Sequence, residues 1–143
     1  MNYREPVEEP AAGTRASSLL SELAKEMVRL FKDQFGRGPT SARVAWAGPD
    51  VLVAILEDTL TPAERNLTRL GEHERLRETR SFFQYASVAE FCEPVERLTG
   101  RKVRAFISGI DTEVNGLSVE TFVLHPPDAQ DVESRAHPSK GRM

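Results

Sequence analysis

The spacing of apolar residues along this chain switches three times between a helical period and a strand period. Leu19, Leu20, Leu23, Met27, Leu30 and Phe31 recur every three or four positions, with Glu22, Lys25, Glu26, Arg29 and Lys32 between them. The spacing predicts an amphipathic helix over residues 17–35, started by Ser17 or Ser18 and stopped by Gly36. Val44 and Trp46 then alternate with Arg43, Ala45 and Ala47, and the turn Ala47-Gly48-Pro49-Asp50 leads into the apolar run Val51 to Leu56, which predicts a β-hairpin. Leu60-Thr61-Pro62-Ala63-Glu64 carries the signature of a capped helix start. Thr61 is the N-cap, Pro62 the first helical residue, and Glu64 reaches back to close a capping box. That helix runs to about Leu70, where Gly71 interrupts it.

A longer helix follows from Glu72 through Leu76, Phe82, Phe83 and Ala86 towards Phe91. A break or kink is expected at Pro94, which lacks an amide donor and crowds the preceding turn. The alternative places Pro94 in the first turn of a last short helix, Pro94 to Leu98, ended by Gly100. Residues 101–108 and 117–124 read as two strands around a loop, and His125-Pro126-Pro127 closes the second. The expected fold is α+β, with two layers. A four-stranded, mostly antiparallel sheet made of two hairpins packs with three or four helices in the order α-β-β-α-α-β-β. The first and third helices are expected to cover one sheet face. Trp46, Phe106 and Phe122 are the apolar residues whose alternation is expected to place some of them on the other face, and they motivate a homodimer.

Composition adjusts this picture at the ends. Of 143 residues, 39% are apolar and 29% charged. Residues 1–15 and 125–143 are proline-rich and almost without large apolar groups, so both are expected to be disordered tails around a single domain, 16–124. The formal net charge is −3, and removing the tails leaves no basic excess, so nucleic acid is not an expected partner. The longest apolar run is far short of the ~20 residues of a membrane helix. Residues 1–15 lack the basic and apolar regions of a secretion signal, and a cytoplasmic location is expected.

Candidate chemistry is sparse. His73, His125 and His137 are isolated, without metal-ligand spacing, so no metal site and no cofactor are expected. Cys92, the single cysteine, rules out an internal disulfide and a CxxC motif and reads as a structural thiol. Nucleophile elbows, P-loops and dinucleotide fingerprints do not occur. The compact acid pairs Glu57-Asp58 and Asp111/Glu113 read as solvated loop residues. Arg65, Arg69, Arg75, Arg77 and Arg80 interleave with Glu64, Glu72, Glu74 and Glu78, as an exposed, salt-bridged helix face would.

Three segments in register carry a family resemblance: Gly36-Arg37-Gly38-Pro39, Leu60-Thr61-Pro62-Ala63-Glu64, and Leu98-Thr99-Gly100-Arg101-Lys102-Val103 with Phe106. Arg77 and Arg80 before Phe82 and Phe83, and Glu120 to Leu124 at the end, add to it. Over residues 18–124 the chain resembles the MpsC-like family, named after a sodium-translocating membrane-potential-generating system. The resemblance implies a non-enzymatic accessory or regulatory protein associated with a cation or inorganic-carbon transport system, reaching a membrane transporter subunit through protein contact. It carries over no catalytic residue. Arg37, Arg77, Arg80 and Arg101 have no evident folding duty in the sequence and are the candidate ligand- or partner-binding residues. A small-anion or nucleotide sensor built on those arginines is the alternative reading, and an RNA-binding module using exposed sheet aromatics is the second.

Overall fold

The structure, a computed structural model, describes residues 12–127. Its elements are α1 (Ala12–Phe35), β1 (Ser41–Trp46), β2 (Val51–Glu57), α2 (Pro62–Arg69), α3 (His73–Ala86), α4 (Val88–Thr99), β3 (Val103–Ile110) and β4 (Ser118–Leu124). The two-layer α+β reading holds, with four helices. The four strands form one antiparallel sheet in the order β1-β2-β4-β3. Residues 1–11 and 128–143, which include most of both expected tails and His137, lie outside the described residues.

Helix α1 buries Leu23, Met27 and Phe31, a stripe at i, i+4 and i+8, and ends at Gly36 with a φ of 83°. It begins at Ala12, five residues before the expected start. Residues 12–16 carry no large apolar side chain, so periodicity has nothing to register there. The capping box is present as read. Thr61 N–H donates to Glu64 Oε1 at 2.8 Å, and Glu64 N–H donates to Thr61 Oγ1 at 3.2 Å.

The break expected at Pro94 occurs at Ser87 instead, and Pro94 is buried inside α4. Ser87 leaves the helical region at φ −109° and ψ 24°, so α3 ends there and α4 starts as a separate helix. The opened turn is stabilised from outside. Gln34 of α1 donates from Nε2 to the Phe83 carbonyl at 2.9 Å and to Ser87 Oγ at 2.6 Å. A tertiary partner therefore takes up a helix-end carbonyl, which local sequence does not reveal.

Strand register sorts side chains cleanly between the faces. The rows Trp46–Leu52–Phe122–Phe106 and Val44–Ala54–Glu120–Ser108 face the helices. Phe91 stacks on Phe106 at 5.8 Å, and Phe106 meets Phe122 at 5.2 Å. Trp46, Phe106 and Phe122 are thus on the covered face, not the open one, because they share parity with the buried Leu52 and Leu124. With them goes the aromatic platform that an RNA-binding sheet requires.

Candidate functional site

Helix α3 presents one narrow stripe inward: Leu76, Arg80 and Gln84, two of them polar. Phe82 and Phe83 lie off that stripe and are exposed, Phe82 at 70%. Arg80 is 1% exposed, so it departs from the solvated arginine face expected for this helix. All five of its N–H donors are used. Nε donates to Glu64 Oε2 at 3.0 Å and Nη2 to Glu64 Oε1 at 2.5 Å. Nη2 also reaches the Thr59 carbonyl, while Nη1 donates to Thr59 Oγ1 and Ser118 Oγ. The guanidinium plane lies over the Phe35 ring, 4.3 Å from its centroid. A guanidinium satisfied in this way has no donor left for a ligand.

The other candidate arginines do not join it. Arg37 donates to the carbonyls of Asp58 at 2.6 Å and Leu60 at 2.9 Å and pairs with the Asp58 carboxylate at 3.2 Å. Arg65 meets the same carboxylate at 2.7 Å, and Asp58 sits at a φ of 56°, held by both. The hydrogen bond from Arg65, with the bond and charge of Arg37 behind it, keeps the Asp58 carboxyl below its ordinary range. Arg101 ties the start of β3 to the β1–β2 turn through the Pro49 carbonyl, the Asp50 carboxylate and the His125 carbonyl. Asp50 and Asp58 flank opposite ends of β2, about 26 Å apart at the rise of a strand. Arg37 and Arg101 therefore clamp opposite ends of the sheet.

Arg77 is exposed, and its Nη1 donates to Thr112 Oγ1 at 3.2 Å. His73, expected to be solvated, is half-buried with Nδ1 2.7 Å from the same hydroxyl. Beside them opens a cleft of about 420 Å³ lined by Arg65, Thr68, Arg69, His73, Thr112 and Glu113, among others. Cys92 lines a different groove between α4 and β3. Burial, with the nearby charge of Glu96, pushes its thiol up to about 11.

Sequence reading missed a second polar cluster, next to Arg80. Glu120 is fully buried on β4, and its Oε1 accepts from Ser108 Oγ at 3.0 Å and from Gln84 Nε2. Among the described residues, its Oε2 and the Gln84 Oε1 are both buried without a hydrogen-bond partner. Burial raises the Glu120 carboxyl to about 8, against the opposing effects of the Ser108 bond and the Arg80 charge. A signal was available: Glu120 shares its alternation with Ser118, Phe122 and Leu124, all of them on the core face.

The face of the sheet away from the helices is the remaining feature. Its rows are Val51–Val123–Ala105, Ala45–Val53–Thr121–Ile107 and Arg43–Ile55–Val119–Gly109. β-Branched side chains fill the centre of this face, and Ile107 is 57% exposed. The charged residues on these rows and the next, Arg43 and Glu57, sit together at one end.

No curated protein and no solved structure matches the chain. The family model described as the Na+-translocating membrane potential-generating system (MpsC) matches residues 15–126, from the first turn of α1 past the end of β4. The chain belongs to the MpsC family.

Proposed function

We propose that this family member is a non-enzymatic accessory or regulatory subunit of a membrane-potential-generating system, and that it works as a homodimer joined through its open sheet face. The observation that carries the reading is the apolar row set centred on Val53, Ile55, Val119 and Ile107, with the helices gathered on the opposite face. Two such surfaces fit each other as the inner layers of an aligned β-sandwich do, by interdigitation of β-branched side chains. Arg43 and Glu57 supply one charge of each sign, so two copies meet without a net like-charge penalty. Among the described residues no helix is long and apolar enough to cross a membrane. The contact with the membrane system therefore falls to protein surfaces of the dimer.

Affinity capture from native membranes, followed by mass spectrometry, tests the accessory role. Recovery of cation or inorganic-carbon transport subunits supports it; recovery of RNA, or of nothing, counts against it. Sedimentation at micromolar concentration tests the dimer, and a monomer there removes it.

The small-anion sensor is the second reading, and the cleft beside Thr112 is what favours it. Arg65, Arg69 and His73 line that cleft and Arg77 reaches its edge, whereas Arg37, Arg80 and Arg101 are spent on clamps elsewhere. It predicts saturable thermal stabilisation by bicarbonate, phosphate or a nucleotide, abolished by Arg69→Ala. A flat response across that panel ends it.

A further inference from the structure

Two buried acceptors without donors, Gln84 Oε1 and Glu120 Oε2, belong to side chains already joined by one hydrogen bond, from Gln84 Nε2 to Glu120 Oε1. A carboxylate cannot satisfy that arrangement, because both remaining oxygens accept and neither donates. One proton resolves it. We propose that Glu120 and Gln84 form a buried proton-binding site, in which Glu120 is a neutral acid donating Oε2–H to Gln84 Oε1, and that release of this proton loosens the seat of α3. The closed pair has two parallel hydrogen bonds, one in each direction. Solvent supplies and takes the proton, and only the O–H bond changes.

The surrounding groups favour the acid. From β3, Ser108 Oγ bonds to Oε1, while the Tyr85 hydroxyl of α3 is occupied by the Ser108 backbone N–H at 2.8 Å. From β2, the cross-strand neighbour is Ala54, which has no ionisable group. On β4 itself, Ser118 Oγ is engaged by Arg80 and Thr59. From α3, Arg80 is the nearby cation, but its donors all go to Glu64, Thr59 and Ser118, and the Glu64 carboxylate balances its charge. α1 brings Phe31 and Phe35 around Arg80, and α4 brings Phe91. The raised carboxyl, at about 8, agrees with this geometry.

The mechanical consequence follows from α3's inward stripe. Leu76 is its sole apolar member, so Arg80 and Gln84 hold the buried side of the helix, while Tyr85 on Phe106 and Phe83 on Phe35 hold its flanks. Ionised Glu120 turns the Gln84 contact into facing acceptors and weakens the hold on the helix that bears Phe82 and Phe83. The site lies on the helix-covered side of the sheet, so it stands or falls independently of the open-face dimer.

The test is a side-chain carboxyl carbon-13 NMR titration of the full chain, with Glu120 assigned by its loss in Glu120→Gln. The expected result is a Glu120 midpoint near 8, with the Gln84 amide shifting at the same midpoint and no difference between sodium and potassium salts. Amide exchange of α3 should rise above that midpoint beyond the intrinsic rate, and in Glu120→Gln that extra rise should vanish, since glutamine donates without a titrating proton. Titration in the ordinary carboxylate range overturns the proposal. So does a midpoint lowered by sodium but not potassium, which makes the pair a cation site. An α3 exchange profile unchanged by Glu120→Gln removes the coupling to the helix. Connecting the Glu120 carboxyl carbon to its own side-chain and backbone resonances assigns it in wild type, so the wild-type titration decides the proton site even if the variant fails to fold.

Discussion

Arg80 of α3 and Glu64 of α2 meet side by side in the interior, two guanidinium nitrogens on two carboxylate oxygens at 3.0 and 2.5 Å. Glu64 also closes the capping box through Oε1, so one carboxylate starts α2 and holds α3 against it. Both ions are withdrawn from water, and removing one leaves the other without compensation. Arg80→Ala is expected to cost about 3–5 kcal/mol. Arg80→Lys should recover little of that, because an ammonium cannot reproduce the planar fork across Glu64, Thr59 and Ser118. Urea unfolding of the two variants against wild type measures both.

Half of that relationship was legible in the sequence. Thr61-Pro62-Ala63-Glu64 announces a capping box because all its partners are local. The Arg80 contact spans 16 positions, and Arg80 looks no different from its four arginine neighbours until the phase of α3 is known. Phe82 and Phe83 obscure that phase, because apolar residues ordinarily mark the buried side of a helix, yet the buried stripe is Leu76, Arg80 and Gln84. The strands were easier to read, because a period of two leaves only two choices of face, and the registers fix which one. Even so, alternation alone does not say which of Trp46, Phe106 and Phe122 face outward, and none does, because Phe122 alternates in step with Leu124, Ser118 and Glu120 and pairs with Phe106. The helix break at Ser87 is beyond sequence reading, since Gln34 stabilises that end from another helix.

Stability should fall at both ends of the pH range, for opposite reasons. Asp58 has a folded carboxyl held below its ordinary 3.8, so its contribution is present above 3.8 and is lost as pH falls through the lower folded value. Glu120 is raised from 4.5 to about 8, so its contribution is complete below 4.5 and is lost as pH rises towards 8. On the alkaline limb the folding equilibrium constant should drop by up to about tenfold per pH unit. Thermal unfolding across this range should show both limbs. Arg65→Ala should flatten the acidic one and Glu120→Gln the alkaline one; a profile in which Glu120→Gln retains the full alkaline limb contradicts the assignment.

Gly116 has a φ of 72°, and a Cβ there would collide with the Leu60 side chain. Gly116→Ala meets two penalties, a left-handed backbone at about 1–2 kcal/mol and an overpacked contact of about 1–3 kcal/mol. In a double-mutant cycle, Leu60→Ala should relieve the second penalty and not the first. Strictly additive losses would mean that the loop moves aside instead.

Cys92 should be slow towards alkylating reagents. Its thiol is raised from 9.0 to about 11, which leaves roughly one hundredth of the ordinary thiolate fraction at neutral pH. Iodoacetamide labelling of the native chain should lag that of the urea-unfolded chain by about that factor, and comparable rates would show that the thiol is neither buried nor raised.

Val53 and Ile107 flank Thr121 in one row across the open sheet face, and neither supports the core on the other side. A glutamate at each position keeps contact with water in the monomer, so the fold should survive with little loss. In a face-to-face dimer the same carboxylates meet β-branched side chains of the second copy, and the one arginine near Val53 on these rows, Arg43, faces two added negative charges from each copy. Desolvating them costs several kcal/mol, so the double variant Val53→Glu/Ile107→Glu should weaken self-association at least about a hundredfold, or ~2.7 kcal/mol. Sedimentation of wild type and variant over a concentration series measures this directly, with circular dichroism confirming that both are folded. If the dimer forms elsewhere, the variant should dissociate no more readily than wild type; a matched control such as Phe82→Glu on α3 then locates the interface on the helical side.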